Sequence, residues 1–412
     1  MGGWRLKAGG TILRNCNGQQ IKQVMTDLID KRKAAAVLLL FIITTVGFYV
    51  RYDNINHWLE NKDRYFSPAD NTPVTLAVDS YYYLDIAQNI QKGNVEKVDR
   101  QRQAPNSFVK PLTLPLLSVT LALISTITGE PLEWIAILLP PFLAVLLAIP
   151  IYLLGVFLFR RSCYATNENT PVCATIAGLV AALFVLISPA FVERSSIGWC
   201  DTDILNVTLL CSLTLAALHA AVSKNTRELI FSLTGFTLLT GIFLLWWDQA
   251  TAPVAAFSMG YLFLAGLFNI VRKRSNTRVF VIFLLVICLL LFGLQGESIV
   301  TLPRQVLSMI RYSFSDDTIG LHFLNAGQLV AEQQDVPLAE MAGKVAGNKW
   351  TFFLALLGIS LLALITRRYF LFLVPWLILS FLATRSHRLM IFPGVLFSLG
   401  MGTVVFLACI SR

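Results

Sequence analysis

The chain has 412 residues, of which 56% are hydrophobic and only 14% are charged, and its mean hydropathy is +0.66. Soluble globular domains have a far more polar composition, so these values exclude a soluble enzyme. A helix needs about 20 apolar residues to cross a hydrocarbon core of about 30 Å, and this length leaves room for about ten spans. The composition therefore predicts an all-α polytopic membrane protein.

The formal net charge of +9 comes from 33 Lys and Arg residues against 24 Asp and Glu residues. In a soluble domain this excess would suggest a nucleic-acid partner. In a membrane protein, basic residues accumulate in cytoplasmic loops and orient the spans. We therefore expect membrane lipid, and no nucleic acid, as a partner.

Apolar runs mark the predicted membrane segments. They cover roughly residues 34–50, 111–127, 133–159, 173–190, 204–223, 229–247, 251–271, 279–295, 350–366, 369–384 and 389–410. Basic residues flank these runs at Lys31 to Lys33, Arg160 and Arg161, Lys224 and Arg227, Arg272 to Arg278, and Arg367 and Arg368. All of these clusters fall on one side of the membrane if the run at 111–127, interrupted by Pro111 and Pro115, does not cross it.

This arrangement predicts about ten spans with both termini in the cytoplasm. The predicted parts are a cytoplasmic tail of residues 1–33 and a transmembrane domain of residues 34–412, with large external loops at 51–132 and 296–349. The topology is derived from Lys and Arg alone. It also assigns Asp79, Asp201, Asp203, Glu332 and Arg388 to the non-cytoplasmic side.

Asp201 and Asp203 lie where one predicted span ends and the next begins. Carboxylates at i and i+2 point to the same side of an extended segment, so the pair could bind one hard divalent cation through oxygen. A D-x-D pattern is common in surface loops, and Arg194 could instead form an ion pair with one of the acids. An acid at the edge of the hydrocarbon is nevertheless costly and usually has a function or a partner.

Asp79 opens an aromatic segment that continues Ser80, Tyr81, Tyr82, Tyr83. It could be the N-cap of an interfacial helix with tyrosines at headgroup depth, a third metal ligand, or both. Glu332 lies in a late loop among several other acids, so composition alone does not single it out.

The order of these elements resembles the catalytic subunit of oligosaccharyltransferase, the enzyme of N-linked glycosylation, in its single-subunit bacterial and archaeal form. The matching elements are the first-loop Asp79 with its aromatics, the D-x-D motif, a late-loop motif ending in Glu332, and Arg388 at the start of a span. The resemblance implies a membrane architecture like that of the GT-C glycosyltransferases. It also implies transfer of an oligosaccharide from a polyprenyl-pyrophosphate donor to acceptor asparagine amides of proteins.

The resemblance further implies roles for individual residues. Asp79, Asp201 and Asp203 would hold Mg²⁺ or Mn²⁺, and Glu332 together with Asp79 would hold the acceptor amide. Arg388 and Arg194 would bind the donor pyrophosphate, and Lys344 stands where bacterial members place an acceptor-reading Arg. The site would face the periplasm or exterior of a prokaryotic cell membrane.

Members of this family normally continue into an external domain with a WWDYG motif, whereas this chain ends at Arg412. The expectation is therefore the membrane domain only. Trp246, Trp247 and Asp248 resemble that motif but lie between two spans, where we interpret them as part of an aromatic belt at the membrane interface.

Two other functions remain possible from the sequence. One is a polyprenyl-phosphate-dependent glycosyltransferase that acts on hydroxyl or lipid acceptors. The other is a transporter whose acids bind coupling ions, although transporters place such residues near the midplane of the bilayer and often in repeated halves.

Overall fold

The structure is a computed structural model that describes residues 18–96, 98–99, 113–247, 251–271, 277–295 and 334–411. Within these ranges the regular elements are helices, and an isolated antiparallel β-bridge joins Phe66 to Pro73. The first half contains helices α1 (Gly18–Tyr52), α2 (Ile55–Glu60), α3 (Lys62–Tyr65), α4 (Ser80–Gln91), α5 (Leu116–Thr128), α6 (Leu132–Ala144), α7 (Ala148–Arg160), α8 (Thr170–Leu186) and α9 (Pro189–Glu193).

The second half begins at Asp203, the last residue of the D-x-D motif. It contains α10 (Asp203–Val222), α11 (Thr226–Trp246), α12 (Thr251–Val271), α13 (Thr277–Gln295), α14 (Leu338–Ala346), α15 (Lys349–Thr366), α16 (Val374–Leu382) and α17 (Pro393–Ile410). Short 3₁₀ segments connect α6 to α7 and precede α16 and α17.

In the described ranges, seven helical stretches are long and apolar enough to cross a membrane, and three shorter apolar helices accompany them. The prediction of an all-α polytopic membrane protein is therefore confirmed. The predicted runs at 350–366 and 369–384 lie within one helical stretch, Lys349–Arg385. The left-handed backbone of Arg367, with a φ of 48°, separates α15 from the 3₁₀ turn that leads into α16.

Helix α5 contains most of the run that we expected not to cross. Its 13 residues span about 20 Å, which is less than the hydrocarbon thickness. The helix packs against α4, where the Ser118 hydroxyl donates to the Tyr83 carbonyl over 2.9 Å and the Gln91 amide donates to the Ser125 hydroxyl over 2.9 Å. Its length and its attachment to α4 favour the interpretation that α5 belongs to the first external loop.

The two ends of the bundle differ in chemistry. At one end, the last turns of α1, α8 and α11 meet the loop before α10: Arg51 bonds to Leu186 and Ser195, and Trp246 bonds to Thr202. At the other end, the Cys163 amide after α7 donates to the Ile365 carbonyl of α15 over 2.9 Å. The first end therefore holds the D-x-D motif, and the second lies beside the basic pairs at 160–161 and 367–368.

Buried hydroxyl and indole groups connect helices inside the bundle. Thr214 of α10 and Tyr261 of α12 share a hydrogen bond of 2.8 Å, and the indole of Trp376 in α16 donates to the Thr214 hydroxyl over 3.1 Å. Between membrane helices, such bonds add to packing because the alternative is a polar group in hydrocarbon. They connect the middle of α10 to two neighbouring helices.

Small residues let the helix backbones approach closely. A Cβ added to Gly358 of α15 would lie 2.0 Å from the carbonyl oxygen of Gly400 in α17, and one added to Gly155 of α7 would lie 3.1 Å from the Cα of Gly178 in α8. Contacts of this kind are how membrane helices gain van der Waals attraction without a hydrophobic driving force. The helices α7, α8, α15 and α17 thus form a tightly packed part of the bundle.

We predict that Gly358→Ala destabilises the protein by about 1 to 3 kcal/mol, because the methyl group must push α15 away from α17. The thermal unfolding midpoint in detergent should fall by several degrees. Gly235→Ala is the matched control, since no atom lies within 4 Å of the added carbon. It should be neutral or stabilise the helix by up to about 1 kcal/mol. Equal midpoints for the two variants would contradict the close α15–α17 contact.

Candidate active site

The D-x-D motif lies in the loop between α9 and α10, and both of its carboxylates are buried. Asp201 is 5% exposed and Asp203 is 3% exposed. The loop turns at Gly198, whose φ of 82° favours glycine. A Cβ at this position would also lie 2.4 Å from the Trp58 ring of the first external loop. Glycine is therefore required here for two independent reasons.

Three carbonyl groups of this loop accept hydrogen bonds from distant parts of the chain. The Leu76 amide donates to the Gly198 carbonyl over 2.8 Å. The Ser80 hydroxyl donates to the Cys200 carbonyl over 2.7 Å, and the Trp246 indole donates to the Thr202 carbonyl over 2.7 Å. Carbonyls at alternate positions are thus held by the first external loop, by α4 and by α11.

Arg51 supports the same loop from the end of α1. Its side chain is fully buried and donates from Nε to the Ser195 hydroxyl over 2.7 Å. Its Nη1 donates to the carbonyls of Gly47 and Leu186, each over 2.8 Å. The Arg51 carbonyl in turn accepts from the Ile197 amide. A buried guanidinium needs such acceptors, so α1, α8 and the loop are joined at one point.

Asp201 experiences the field of several charged residues. Burial and the neighbouring carboxylate of Asp203 raise its pKa to about 7, and Asp79 adds to this effect. Arg388 and the Thr202 amide, 2.6 Å from Oδ1, act in the opposite direction. Asp79, Asp203 and Arg388 therefore lie within electrostatic range of Asp201, although they come from three separate parts of the chain.

Asp203 forms a buried ion pair with Arg194, with 2.9 Å between Nη1 and Oδ2. The guanidinium of Arg194 also lies 5.3 Å from the centre of the Trp199 ring. The structure thus contains the ion pair that the sequence left open as an alternative to metal binding. Arg194 is accordingly beside the D-x-D motif.

Asp79 immediately precedes α4 and is exposed. It occupies the N-cap position, but its side chain makes no capping hydrogen bond. The carboxylate is therefore not used to begin the helix. The next residue, Ser80, connects this part of the first loop to the D-x-D loop.

The acids act on one another electrostatically, yet they do not form a ready-made coordination shell. Among the described residues, no three acid, histidine or cysteine side chains are close enough together to hold an ion. The chemistry of the donor set still fits a hard divalent cation, because it consists of carboxylate oxygens. Side-chain rearrangement would be needed for all three aspartates to reach one ion.

The turn that carries Arg388 is attached to the later part of the external loop at 296–349. The Val336 amide donates to the Thr384 carbonyl over 2.8 Å, and Arg385 pairs with Asp335 at 3.0 Å. Arg388 itself is half-buried. Glu332 lies outside the described residues.

Lys344 of α14 forms an ion pair with Glu193, the residue before Arg194. The resemblance implied that Lys344 contacts the acceptor. In this structure that contact would require the pair with Glu193 to open. Both side chains are well exposed, so opening would cost little.

The interpretation of Trp246 as part of an interfacial belt was wrong, because its indole is 1% exposed and bonds to the D-x-D loop. Trp247 is half-buried and stacks on Phe243, and Asp248 lies outside the described residues. Sequence reasoning also did not single out Ser80 or Arg51. The paired tryptophans at the end of a span were the one available signal, and they were assigned to lipid.

Comparisons with known proteins agree with this arrangement. Residues 54–410 match the family model described as oligosaccharyl transferase STT3, N-terminal. The chain is 24% identical over 272 residues to the dolichyl-phosphooligosaccharide-protein glycotransferase of Methanococcus voltae, covering 60% of this chain and 28% of that protein. It is also 24% identical over 385 residues to the undecaprenyl-diphosphooligosaccharide–protein glycotransferase of Campylobacter jejuni, covering 84% of this chain and 49% of that protein.

Solved structures share the fold. The archaeal oligosaccharyltransferase AglB from Archaeoglobus fulgidus, in complex with an inhibitory peptide and a dolichol-phosphate, aligns with a TM-score of 0.58 at 14% identity, covering 90% of this chain and 50% of that one. The complex of the A. fulgidus enzyme with Zn and sulfate aligns with a TM-score of 0.53 at 16% identity, covering 89% and 48%. The chain thus spans about half the length of these structures. Because the family model covers most of the sequence, the chain belongs to the oligosaccharyl transferase STT3 N-terminal family.

Proposed function

We propose that this chain carries the membrane-embedded catalytic site of an enzyme that transfers an oligosaccharide from a polyprenyl-pyrophosphate donor to asparagine amides of an acceptor protein or peptide. One observation carries the proposal: the buried Asp201 and Asp203 lie at one end of the bundle with Arg194 paired to Asp203, and Asp79 and Arg388 are within electrostatic range. A set of acids with an arginine suits a reaction in which a pyrophosphate departs. The names of the related glycotransferases support the same reaction class.

In this proposal the arginines bind the pyrophosphate of the donor. Transfer leaves negative charge on the departing pyrophosphate, and stabilising developing charge with preorganised donors is usually the largest contribution to catalysis. The forked guanidinium matches phosphate oxygens in a way that the lysine ammonium does not. Arg388 lies half-buried beside the acids, and Arg194 lies beside Asp203. We assign the pyrophosphate to these two residues.

In this proposal the aspartates are the ligands of a divalent cation. Buried carboxylates repel one another, and the raised pKa of Asp201 expresses that repulsion together with burial. A cation held by Asp79, Asp201 and Asp203 would relieve it. Mg²⁺ or Mn²⁺ bound there would act as a Lewis acid on the phosphate oxygens. One related structure is a complex with Zn and sulfate.

The acceptor amide is a poor nucleophile because its lone pair is delocalised into the carbonyl group. Carboxylates that accept its two N–H bonds would orient the amide and weaken this delocalisation. Asp79 is exposed and does not cap α4, which suits contact with an acceptor. We assign Glu332 as its partner and Lys344 as an additional acceptor contact.

The site faces the non-cytoplasmic side in this proposal, in the periplasm or at the exterior of a prokaryotic cell membrane. The basic pairs at 160–161 and 367–368 lie beside the opposite end of the bundle, as expected for cytoplasmic residues. Acids at helix ends also argue against the transporter alternative, since coupling-ion sites lie near the midplane on broken helices. A transferase that uses hydroxyl acceptors would not need two carboxylates to hold an amide.

We predict that Asp203→Asn abolishes most of the transfer and the Mn²⁺ dependence, with kcat lower by about a hundredfold or more. The measurement is transfer of a labelled oligosaccharide from a polyprenyl-pyrophosphate donor to an asparagine peptide, with Mn²⁺ titrated. Asp63→Asn is the control, because Asp63 is an exposed acid of α3 away from the motif. A normal rate and an unchanged Mn²⁺ response in Asp203→Asn would refute the assignment of Asp203 as a ligand.

We also predict the orientation of the protein. In a variant without other cysteines, a cysteine introduced at exposed Asp63 should react with a membrane-impermeant maleimide in intact cells. The natural Cys163, which is exposed between α7 and α8, should react as sole cysteine only after permeabilisation. The reverse labelling pattern would overturn the proposed face of the site.

A further inference from the structure

Two buried side-chain donors hold the backbone on either side of Asp201. The Ser80 hydroxyl bonds to the Cys200 carbonyl and the Trp246 indole bonds to the Thr202 carbonyl, each over 2.7 Å. Ser80 is 0% exposed and Trp246 is 1% exposed, so neither can touch a substrate or an ion in this arrangement. Their effect on the site must pass through the backbone that carries the carboxylates.

The two donors come from two different elements that are far from the loop along the chain. Ser80 begins α4 and is 120 residues from Cys200, and Trp246 ends α11 and is 44 residues from Thr202. Ser80 also follows Asp79 directly. Its hydrogen bond therefore sets how far the Asp79 backbone lies from the backbone of Asp201.

We propose that Ser80 and Trp246 are positioning residues of the cation site, which fix the backbone around Asp201 and its distance from Asp79. The inference rests on the proposed function, because it concerns the cation assigned to these aspartates. Ligands that are held in place bind an ion more tightly than ligands that must first be ordered. Loss of residues that orient metal ligands typically lowers metal affinity by 10- to 100-fold.

A purely structural role would give the same hydrogen bonds, so the test needs matched controls. Ser118 has a fully buried hydroxyl that donates to the Tyr83 carbonyl over 2.9 Å, within the α4–α5 contact. Trp376 has a fully buried indole that donates to Thr214 over 3.1 Å, deep in the bundle. Each matches one proposed positioning residue in side-chain type and burial and differs in what it holds.

The experiment measures Mn²⁺ affinity by electron paramagnetic resonance on the whole protein in nanodiscs, without donor or acceptor. We expect Ser80→Ala and Trp246→Phe each to raise the Kd for Mn²⁺ by about 10- to 100-fold. Ser118→Ala and Trp376→Phe should keep the wild-type Kd. Ser80→Thr, which keeps the hydroxyl, should restore tight binding. Thermal unfolding midpoints of all variants show whether any change in Kd follows from lost folding.

Several results would overturn the inference. Wild-type Kd values in Ser80→Ala and Trp246→Phe would do so while leaving the proposed cation site standing. A Kd raised equally in the two controls, or a Ser80→Thr variant as weak as Ser80→Ala, would mean that buried packing alone is responsible. If the wild-type protein binds no Mn²⁺, the cation assignment itself fails and the positioning role with it.

Discussion

The burial of Asp201 within electrostatic range of two other acids is the constraint on which this end of the protein depends. A carboxylate in that position is unfavourable in water-poor surroundings, and burial together with the neighbouring acids raises its pKa. The structure offsets the cost in parts: Arg194 pairs with Asp203, the Thr202 amide donates to Asp201, and Arg388 lies nearby. These charges stay together only if the backbone beneath them is held.

The means of holding that backbone are distributed over the whole bundle. Arg51 joins α1 and α8 to the loop. Ser80 and Trp246 donate hydrogen bonds to carbonyl groups of the loop. The loop turns at Gly198, which lies against the Trp58 ring. These contacts are precise only because the helices that present them cannot shift. Glycine contacts between α15 and α17, where the two backbones approach closely, contribute to that rigidity.

Much of the architecture could be predicted from the sequence, because membrane spans are set by long apolar runs and each run is a local property. The order of Asp79, Asp201 and Arg388 along the chain was enough to predict that they lie near one another. The contacts that support the backbone of the site could not be predicted from the sequence. Trp246 was assigned to lipid because the sequence does not show which face of α11 meets the loop before α10. Ser80 and Arg51 act through bonds to residues 120 and 144 positions away, and no local pattern encodes such contacts.

The position of the acids at the end of the bundle follows from the nature of the proposed donor. A polyprenyl pyrophosphate has a long apolar tail and a multiply charged head, and the two parts cannot be satisfied in one environment. Placing a charged head at the bilayer midplane would demand desolvation of both the phosphates and the protein charges. At the helix ends, Asp79 is exposed and Arg388 is half-buried, while the helices below present apolar surface to the tail. In the proposed reaction the acceptor protein would meet the donor head at the same end, which would bring the amide to the sugar.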